Sequence, residues 1–304
     1  MPSRAPAASI DPGQAGAFVA LCAGAIAMGI SPVFVRFAAA DIGPFASAFW
    51  RVALALPVLY AWMRIDEARA PGRPTRSFSR ATVFAGLAFV GDLFFWHLAI
   101  LNTTVANATF FATTAPIFVV LITWLVLRAH VERAIFAGLG LCLLGGFALI
   151  GQSMQVAPER VVGDLYGVAT AFFFALYFLA VEKARRQGGS AARVTFELSL
   201  VTAAGLFLIA MAFEPKIIPT TREAILALLA LGLISHAGGQ GLLSVALGRL
   251  PAMFSSLVIF LEAVAAALFG WLILSEALTL VQAAGGALIL AGIWIARPRR
   301  AKRA

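Results

Sequence analysis

The stretch VIFLEAVAAALFGW (258–271) decides which class of fold this chain can adopt. Thirteen of its fourteen residues are apolar or glycine, and the remaining one is Glu262. The stretch belongs to a longer apolar run, 252–274, which is long enough for a helix to cross a bilayer, since that takes roughly 20 residues. A carboxyl group is costly in hydrocarbon, so Glu262 is expected to serve a function inside a helix bundle.

The composition of the whole chain agrees with a membrane protein. Of its 304 residues, 62% are hydrophobic and only 12% are charged, whereas a soluble chain of this length carries about a quarter charged residues. The net charge of +9 does not indicate a nucleic-acid partner, because the basic residues fall in loops between apolar runs. Cys22 and Cys142 each lie alone in an apolar run, so neither a disulfide, a metal site nor a cofactor is indicated.

Ten apolar runs are long enough to be spans, and their connections are short. The predicted fold is therefore an all-α membrane protein with ten transmembrane helices. The predicted spans are 17–38, 43–63, 82–102, 104–127, 134–151, 163–184, 194–213, 223–247, 252–274 and 279–296.

The distribution of arginine and lysine predicts the orientation. With the N-terminus in the cytoplasm, 18 basic residues lie on the inner side and three, Arg160, Lys216 and Arg222, on the outer side. Arg36 and Arg51 lie within spans. The excess of arginine over lysine is typical of a GC-rich bacterial genome. These patterns predict a multi-pass protein of a bacterial inner membrane with both termini in the cytoplasm.

The chain also contains two copies of one unit. Shifted by 146 residues, its halves align without a gap, so that Gly86 falls on Gly232 and Pro116 on Glu262. Five spans per copy is an odd number, so the second copy must be inverted relative to the first. Inverted repeats are typical of secondary transporters, which bind their substrate between the halves. The predicted divisions are a cytoplasmic tail (1–16), a first five-helix repeat (17–151), a second, inverted repeat (163–296) and a basic cytoplasmic tail (297–304).

Two long stretches carry recurring motifs. They are ILNTTVANATFFATTAPIFVVLITWLVL (100–127) and ALGRLPAMFSSLVIFLEAVAAALFGWLILSEALTLVQAAGGALILAGIWI (246–295). The motifs are a helix start rich in small residues, a proline or glutamate at mid-span, and LILSE before the last glycine-rich helix. In these motifs the chain resembles the EamA repeat of the drug/metabolite transporter superfamily. The resemblance implies ten helices around a central cavity and export of small metabolites, often amino acids.

Polar residues within the spans are the candidate functional residues. Asp92, His236 and Glu262 each lie halfway along a span, as does Pro116, which interrupts its helix. Each carboxyl or imidazole has a plainer alternative, a buried hydrogen bond to a neighbouring helix. For Glu262 three roles remain open: a proton carrier, a partner for a substrate ammonium group, or a protonated hydrogen-bond donor within the bundle.

Further candidates line the same predicted cavity. Gln240 follows two glycines that loosen its helix, and Asn107 and Thr113 precede Pro116. Trp96 and Tyr177 would form an aromatic wall for a substrate side chain, with core packing as the alternative. The predicted substrate-binding residues are thus Asp92, Trp96, Asn107, Thr113, Tyr177, His236, Gln240 and Glu262.

Three residues are predicted to act as gates. Arg51 lies toward the outer end of its span and Glu197 toward the inner end of its own, and the two match at the 146-residue offset. Pro116 is the third, because a proline weakens its helix. For Arg51 and Glu197, the alternative is pairing with a neighbour or reaching toward the lipid headgroups.

The expected function is therefore secondary transport: export of small metabolites, amino acids foremost, through a central cavity by alternating access. Its partners are a small-molecule substrate and the lipid bilayer. If the chain forms a homodimer, its glycine-rich fifth and tenth helices are the candidate contacts. Import, or export of drugs or other metabolites, is the alternative within this class. A membrane-embedded enzyme or a receptor is the alternative from another class.

Overall fold

A computed structural model describes residues 12–71, 77–150, 158–274 and 279–298, and these residues are almost entirely helical. Eight helical segments are long and apolar enough to cross a membrane, and two shorter apolar helices accompany them. We number these ten segments in chain order: α1 (Gly13–Ile42), α2 (Pro44–Arg69), α3 (Arg80–Asn102), α4 (Asn107–Val126), α5 (Arg133–Ile150), α6 (Pro158–Arg186), α7 (Ala191–Phe213), α8 (Arg222–Leu247), α9 (Ala252–Phe269) and α10 (Leu280–Ala296). The count of ten membrane crossings stays a prediction, because α5 and α10 are short.

The helices extend past several predicted span ends. The first begins at Gly13, although residues up to 16 were predicted to be a tail. The second continues to Arg69, past the predicted span end at 63. Hydropathy marks only the part of a helix that crosses hydrocarbon, whereas a helix continues until a cap or a helix-breaking residue ends it. The described residues therefore give longer helices and shorter loops.

The helix pairings occur in matched sets. Helix α1 packs against α8 and α9, while α6 packs against α3 and α4. Helix α2 packs against α8, and α7 against α3. The pairs α2–α7 and α5–α10 complete the bundle. If each of α1–α5 is exchanged with its counterpart in α6–α10, every pairing becomes another pairing of the set or stays the same. Two inverted repeats require this relation.

Helices α5 and α10 approach each other through glycines. A Cβ on Gly138 would lie 2.6 Å from the carbonyl oxygen of Gly292, and one on Gly285 would lie 2.6 Å from that of Gly145. Small residues let helix backbones come this close, as in other membrane bundles. The glycines predicted as candidate contacts of a homodimer thus face each other within one chain.

Four helices are interrupted within the bundle. Helix α1 breaks between Met28 and Ser31, and α2 between Ala53 and Leu56. Helix α4 breaks at Thr114, next to Pro116. Helix α9 breaks between Val258 and Leu261, although no proline is present there.

The breaks in α4 and α9 have the same hydrogen-bond pattern. In α4 the amide of Thr114 donates to Phe111 O at 3.0 Å, and that of Ile117 donates to Thr114 O at 2.9 Å. In α9, 146 residues later, Phe260 N donates to Leu257 O at 3.2 Å and Ala263 N to Phe260 O at 3.2 Å. Each break is therefore one tight turn with bonds three residues back, and the halves of α4 and α9 pack against each other on either side of it.

Helix α8 is loosened and not broken. Its middle, Leu231–Gln240, is a π-helical stretch in which the backbone turns are wider than in an α-helix. Such stretches are frequently found at functional sites. The glycine pair before Gln240 was expected to loosen this helix, and the π-helical stretch ends at that point.

Candidate functional site

The breaks and the π-helical stretch surround a group of polar side chains that we call the central polar cluster. Its members come from α1, α2, α3, α6, α8 and α9 and contact or electrostatically influence one another. They are Ser31, Arg51, Asp92, Trp96, Tyr177, Ser235, His236, Gln240 and Glu262. Six of the eight residues predicted to bind substrate are in this cluster.

Arg51 is at the centre of the cluster. It lies in the last turn of Pro44–Ala53, the first half of α2, and only 4% of it is exposed. Its Nη2 donates to Ser235 Oγ at 3.0 Å, and the guanidinium carbon lies 5.2 Å from the centre of the Trp96 ring. Its Nε is buried and has no hydrogen-bond partner among the residues that the structure describes. The structure places Arg51 within the central polar cluster, and its predicted role as a gate stays a prediction.

Two carboxyl groups share this environment with Arg51. Asp92 on α3 is 6% exposed, and Glu262 on α9 is partly exposed. Both are close enough to Arg51 to interact with its charge, and Asp92 and Glu262 interact with each other. Among the described residues, neither carboxylate forms an ion pair within 4.0 Å of the guanidinium. The cluster therefore holds one cationic and two acidic groups that are near each other and not bonded to each other.

A serine pair connects two of the irregular helices. Ser31, directly after the break in α1, and Ser235, in the π-helical stretch of α8, have hydroxyl oxygens 2.5 Å apart. Ser235 also accepts the hydrogen bond from Arg51, so it holds the guanidinium against both helices. Neither serine was predicted from the sequence as a functional residue. The signal was present for Ser31, because Pro32 follows it at mid-span, as Pro116 follows Thr114 in α4.

The remaining members bond to the surrounding helices. Tyr177 on α6 is fully buried and donates from its hydroxyl to Gln240 Oε1 at 3.0 Å. Phe89 lies between two rings, 4.7 Å from that of Tyr177 and 5.5 Å from that of His236. His236 Nε2 lies 2.9 Å from Ser199 Oγ on α7, and its Nδ1 has no partner. These contacts join α3, α6, α7 and α8 around the acidic pair.

Aromatic residues outside the cluster form packing contacts. Phe173 and Tyr166 on α6 pack against Phe95 on α3, with ring centres 5.6 and 6.0 Å apart. A Cβ on Gly91 would collide with the Phe173 ring, so this glycine admits the aromatic side chain between α3 and α6. Trp96 and Tyr177, the two residues of the predicted aromatic wall, belong to the cluster, whereas Tyr166 and Phe173 are packed between helices.

Asn107, Thr113 and Pro116 lie apart from these contacts. Asn107 Nδ2 donates at 2.9 Å to Asp164, which also accepts from Thr103, so Asn107 connects the start of α4 to α6. Thr113 and Thr114 donate to the carbonyls of Phe110 and Phe111 next to the break. Their hydroxyls thus bond the interrupted backbone, which is a known way for threonine to bend a helix.

Polar contacts also tie the helices at the two ends of the bundle. At one end, which we call the Asp41 end, Asp41 pairs with Lys216 and accepts from Thr220 N at 2.7 Å and Thr221 N at 2.9 Å. Its carboxylate thereby joins the end of α1 to the start of α8. At the same end, Glu214 accepts from Phe45 N at 3.0 Å, at the N-terminus of α2, where carboxylates are stabilised by the helix dipole.

Glu197 lies at the opposite end of α7, which we call the Glu197 end. It is 2% exposed and accepts from Ser77 Oγ at 2.9 Å, Phe78 N at 2.8 Å and Arg193 Nη1 at 3.1 Å. Arg193 also pairs with Glu67 on α2. Glu197 therefore holds the α2–α3 connection onto α7. Its predicted role as a gate stays a prediction.

Replacing Glu197 with glutamine is expected to lower the free energy of unfolding by about 1–3 kcal/mol, because a charge-assisted, buried hydrogen-bond network is lost. Glu182→Gln is the matched control. Glu182 pairs with Arg186, whose side chain is 65% exposed, and such pairs contribute at most about 1 kcal/mol. Thermal unfolding in detergent measures both variants. Equal shifts in the two would show that Glu197 does not hold this end together.

Comparison with known proteins gives consistent findings. The EamA-like transporter family matches the chain twice, over residues 14–151 and 161–297. A relative from Archaeoglobus fulgidus, described as an uncharacterized transporter, is 28% identical over 284 residues, which is 91% of this chain and 94% of the relative. A relative from Helicobacter pylori strain J99 with the same description is 28% identical over 283 residues, 90% of this chain and 92% of its own. A solved crystal structure of another protein shares the fold, with a TM-score of 0.78, 21% identity and coverage of 93% of this chain and 97% of that one.

Proposed function

The chain belongs to the EamA-like transporter family and is thus a multi-pass membrane transporter and not an enzyme. We propose that it exports small metabolites, amino acids foremost. The proposed mechanism is alternating access to a central cavity. The proposed location is a bacterial inner membrane. The substrate is a small molecule and the surrounding medium is the lipid bilayer.

The substrate class is proposed because the acidic groups near Arg51 form no ion pair with it. Burying a charged group without a partner costs several kcal/mol, so a buried cation near two unbonded acidic groups favours a ligand that bonds to them. A zwitterion offers both signs of charge at once and adds no net charge to the site. The aromatic ring of Trp96 nearby suits an apolar side chain. An amino acid combines these properties.

Alternating access is supported by the matched helix pairings and by the recurring break in α4 and α9. Transporters with inverted repeats commonly bind substrate where interrupted helices meet, because the freed backbone groups and helix ends face the site. We propose that residues 17–151 and 163–296 are the two repeats that move against each other. The contacts of Asp41 and Glu197 at opposite ends would then open in turn.

The proposed orientation has both termini in the cytoplasm, so the Glu197 end faces the cytoplasm and the Asp41 end faces outward. Cysteines introduced at positions 70 and 300 are expected to react with an impermeant maleimide only from the cytoplasmic side, and one at position 158 only from outside. The background protein would have Cys22 and Cys142 replaced by alanine. Labelling of positions 70 and 158 from the same side would contradict the arrangement.

Transport itself is tested with purified protein in liposomes and a panel of labelled amino acids, with and without a pH gradient. We expect flux of at least one amino acid, with the solute recovered chemically unchanged. If other metabolites or drugs are transported and no amino acid is, the proposed substrate class is wrong. Inward-only flux in oriented vesicles would make the protein an importer, and binding without any flux would favour a receptor.

A further inference from the structure

We propose that Arg51 is the carboxylate-binding residue of the transporter and that a carboxylate is the group a substrate must carry. The inference rests on the proposed function, because it names the chemistry of the site through which that function would act. It assigns to Arg51 a binding role in place of the gate role expected from its sequence position.

The hydrogen bonds of the guanidinium are incomplete. Arginine carries five N–H donors in a planar fork, of which one Arg51 donor is bonded to Ser235 Oγ. The Trp96 ring is near the charge but provides no acceptor for the buried Nε. A carboxylate is the partner whose two oxygens match two neighbouring N–H groups of this fork. An occupant of that shape would bond the donor that the protein leaves without a partner.

The protein holds Arg51 in a defined position even without such an occupant. Ser235 fixes one nitrogen, and Ser235 itself is held by Ser31 across the break in α1. The Trp96 ring is near the guanidinium, and such cation–π contacts are worth about 0.5–2 kcal/mol. A side chain that is buried, positioned and incompletely bonded is preorganised for a ligand, since little ordering is left to occur on binding.

The two acidic neighbours of Arg51 limit which anions its site can bind. Asp92 and Glu262 act electrostatically on the same site, so a phosphate or another dianion would be repelled more strongly than a monoanion. Glu262 is partly exposed, and its carboxylate has no hydrogen bond to any described residue. It is therefore the acceptor available for a substrate ammonium group. The site is suited to a carboxylate with a nearby cationic amine.

The test compares ligands that differ only in the carboxylate. Each amino acid of the panel and its carboxamide would be assayed by thermal stabilisation of the full chain in detergent, at constant chloride and with inorganic phosphate as a separate probe. At least one amino acid is expected to bind 10- to 100-fold more tightly than its amide, since a hydrogen bond to a charged group contributes about 1.5–3 kcal/mol. Phosphate is expected to give no stabilisation.

Variants of Arg51 test whether this side chain causes the preference for the acid over the amide. Arg51→Gln is expected to bind acid and amide equally, and Arg51→Lys to retain a reduced preference, because lysine keeps the charge without the fork. Arg36→Gln is the matched control, since Arg36 is an exposed arginine on the neighbouring helix α1. The ligand-free unfolding temperature shows whether each variant folds, and Arg51→Lys covers the case in which Arg51→Gln does not.

Three results would overturn the inference. They are equal binding of acid and amide by the unmodified protein, an unchanged preference in Arg51→Gln, and stabilisation by no carboxylate in the panel. These results are separate from failure of the proposed function. Carboxylate preference without flux in liposomes would refute transport but keep the binding site. Flux of amino acids and their amides at equal rates would keep transport and refute the role of Arg51.

Discussion

Glu262→Gln is expected to raise the concentration of amino acid needed for half-maximal transport by roughly 10- to 100-fold. The physical reason is that glutamine keeps the shape and hydrogen-bonding capacity of the side chain but cannot carry the charge that attracts an ammonium group. A charge-assisted hydrogen bond contributes about 1.5–3 kcal/mol, which corresponds to that range. The carboxyl group lies beside the break in α9, where no described side chain bonds it.

The measurement is initial uptake into proteoliposomes over a range of amino-acid concentrations and pH values. Glu223→Gln is the matched control, because Glu223 is exposed in the first turn of α8. A variant that transports normally but with a flattened pH dependence would instead assign a proton-carrying role to Glu262. A variant with unchanged transport at every pH would show that Glu262 neither binds the substrate nor carries a proton. Deaminated analogues, which carry no ammonium group, should be affected little by the substitution.

Gly29→Ala is expected to lower the free energy of unfolding by roughly 1–3 kcal/mol, the range found when a methyl group is forced into a packed core. Gly29 lies at the break in α1, where an added Cβ would be 2.8 Å from the carbonyl oxygen of Glu262 and 2.9 Å from the Cβ of Ala265. The carbonyl belongs to the backbone and cannot rotate away, so α1 and α9 must move apart. Because Ser31 follows on α1, that movement would also disturb the bond that holds Ser235 and Arg51.

Gly16→Ala serves as the control for this prediction. Gly16 is also in α1, and an added Cβ there would meet no atom of a described residue within 4 Å. Alanine favours the helix over glycine by up to about 1 kcal/mol, so Gly16→Ala should be neutral or stabilising. Thermal unfolding and amino-acid uptake would be measured for both variants. If Gly29→Ala unfolds at the same temperature as Gly16→Ala and transports normally, α1 and α9 do not need this close approach.

Pro116 and Phe260 show which breaks could be predicted from sequence. The break in α4 follows from Pro116, because proline has no N–H to donate and its ring collides with the preceding turn. The break at Phe260 in α9 has no such signal, since neither proline nor glycine occurs between Val258 and Glu262. It depends on the packing of α9 against α4 and on the approach of Gly29 from α1. In the sequence, the breaks in α4 and α9 are related only by the 146-residue offset between the repeats, which aligns Pro116 with Glu262.

Arg51 shows the same division for a functional side chain. An arginine is rare within an apolar run, so Arg51 was a candidate functional residue. It was predicted to be a gate because it lies toward the outer end of its predicted span. Its contacts come from Trp96 on α3 and from Ser235, which is 184 residues away in the chain. For Asn107 and Thr113 the structure shows bonds to nearby helix groups, and their predicted role in substrate binding stays a prediction.

By itself the sequence determined that this chain is a bundle of membrane helices, because the free energy of placing a residue in hydrocarbon is nearly additive along a run and needs no knowledge of neighbours. It also determined which few polar residues would have to be satisfied within that bundle. Only the tertiary structure decided which of them meet. A buried charge is stabilised by partners within a few ångströms, and for Arg51 the packing of α2 against α8 and α3 supplies Ser235 and Trp96 and leaves Nε unbonded.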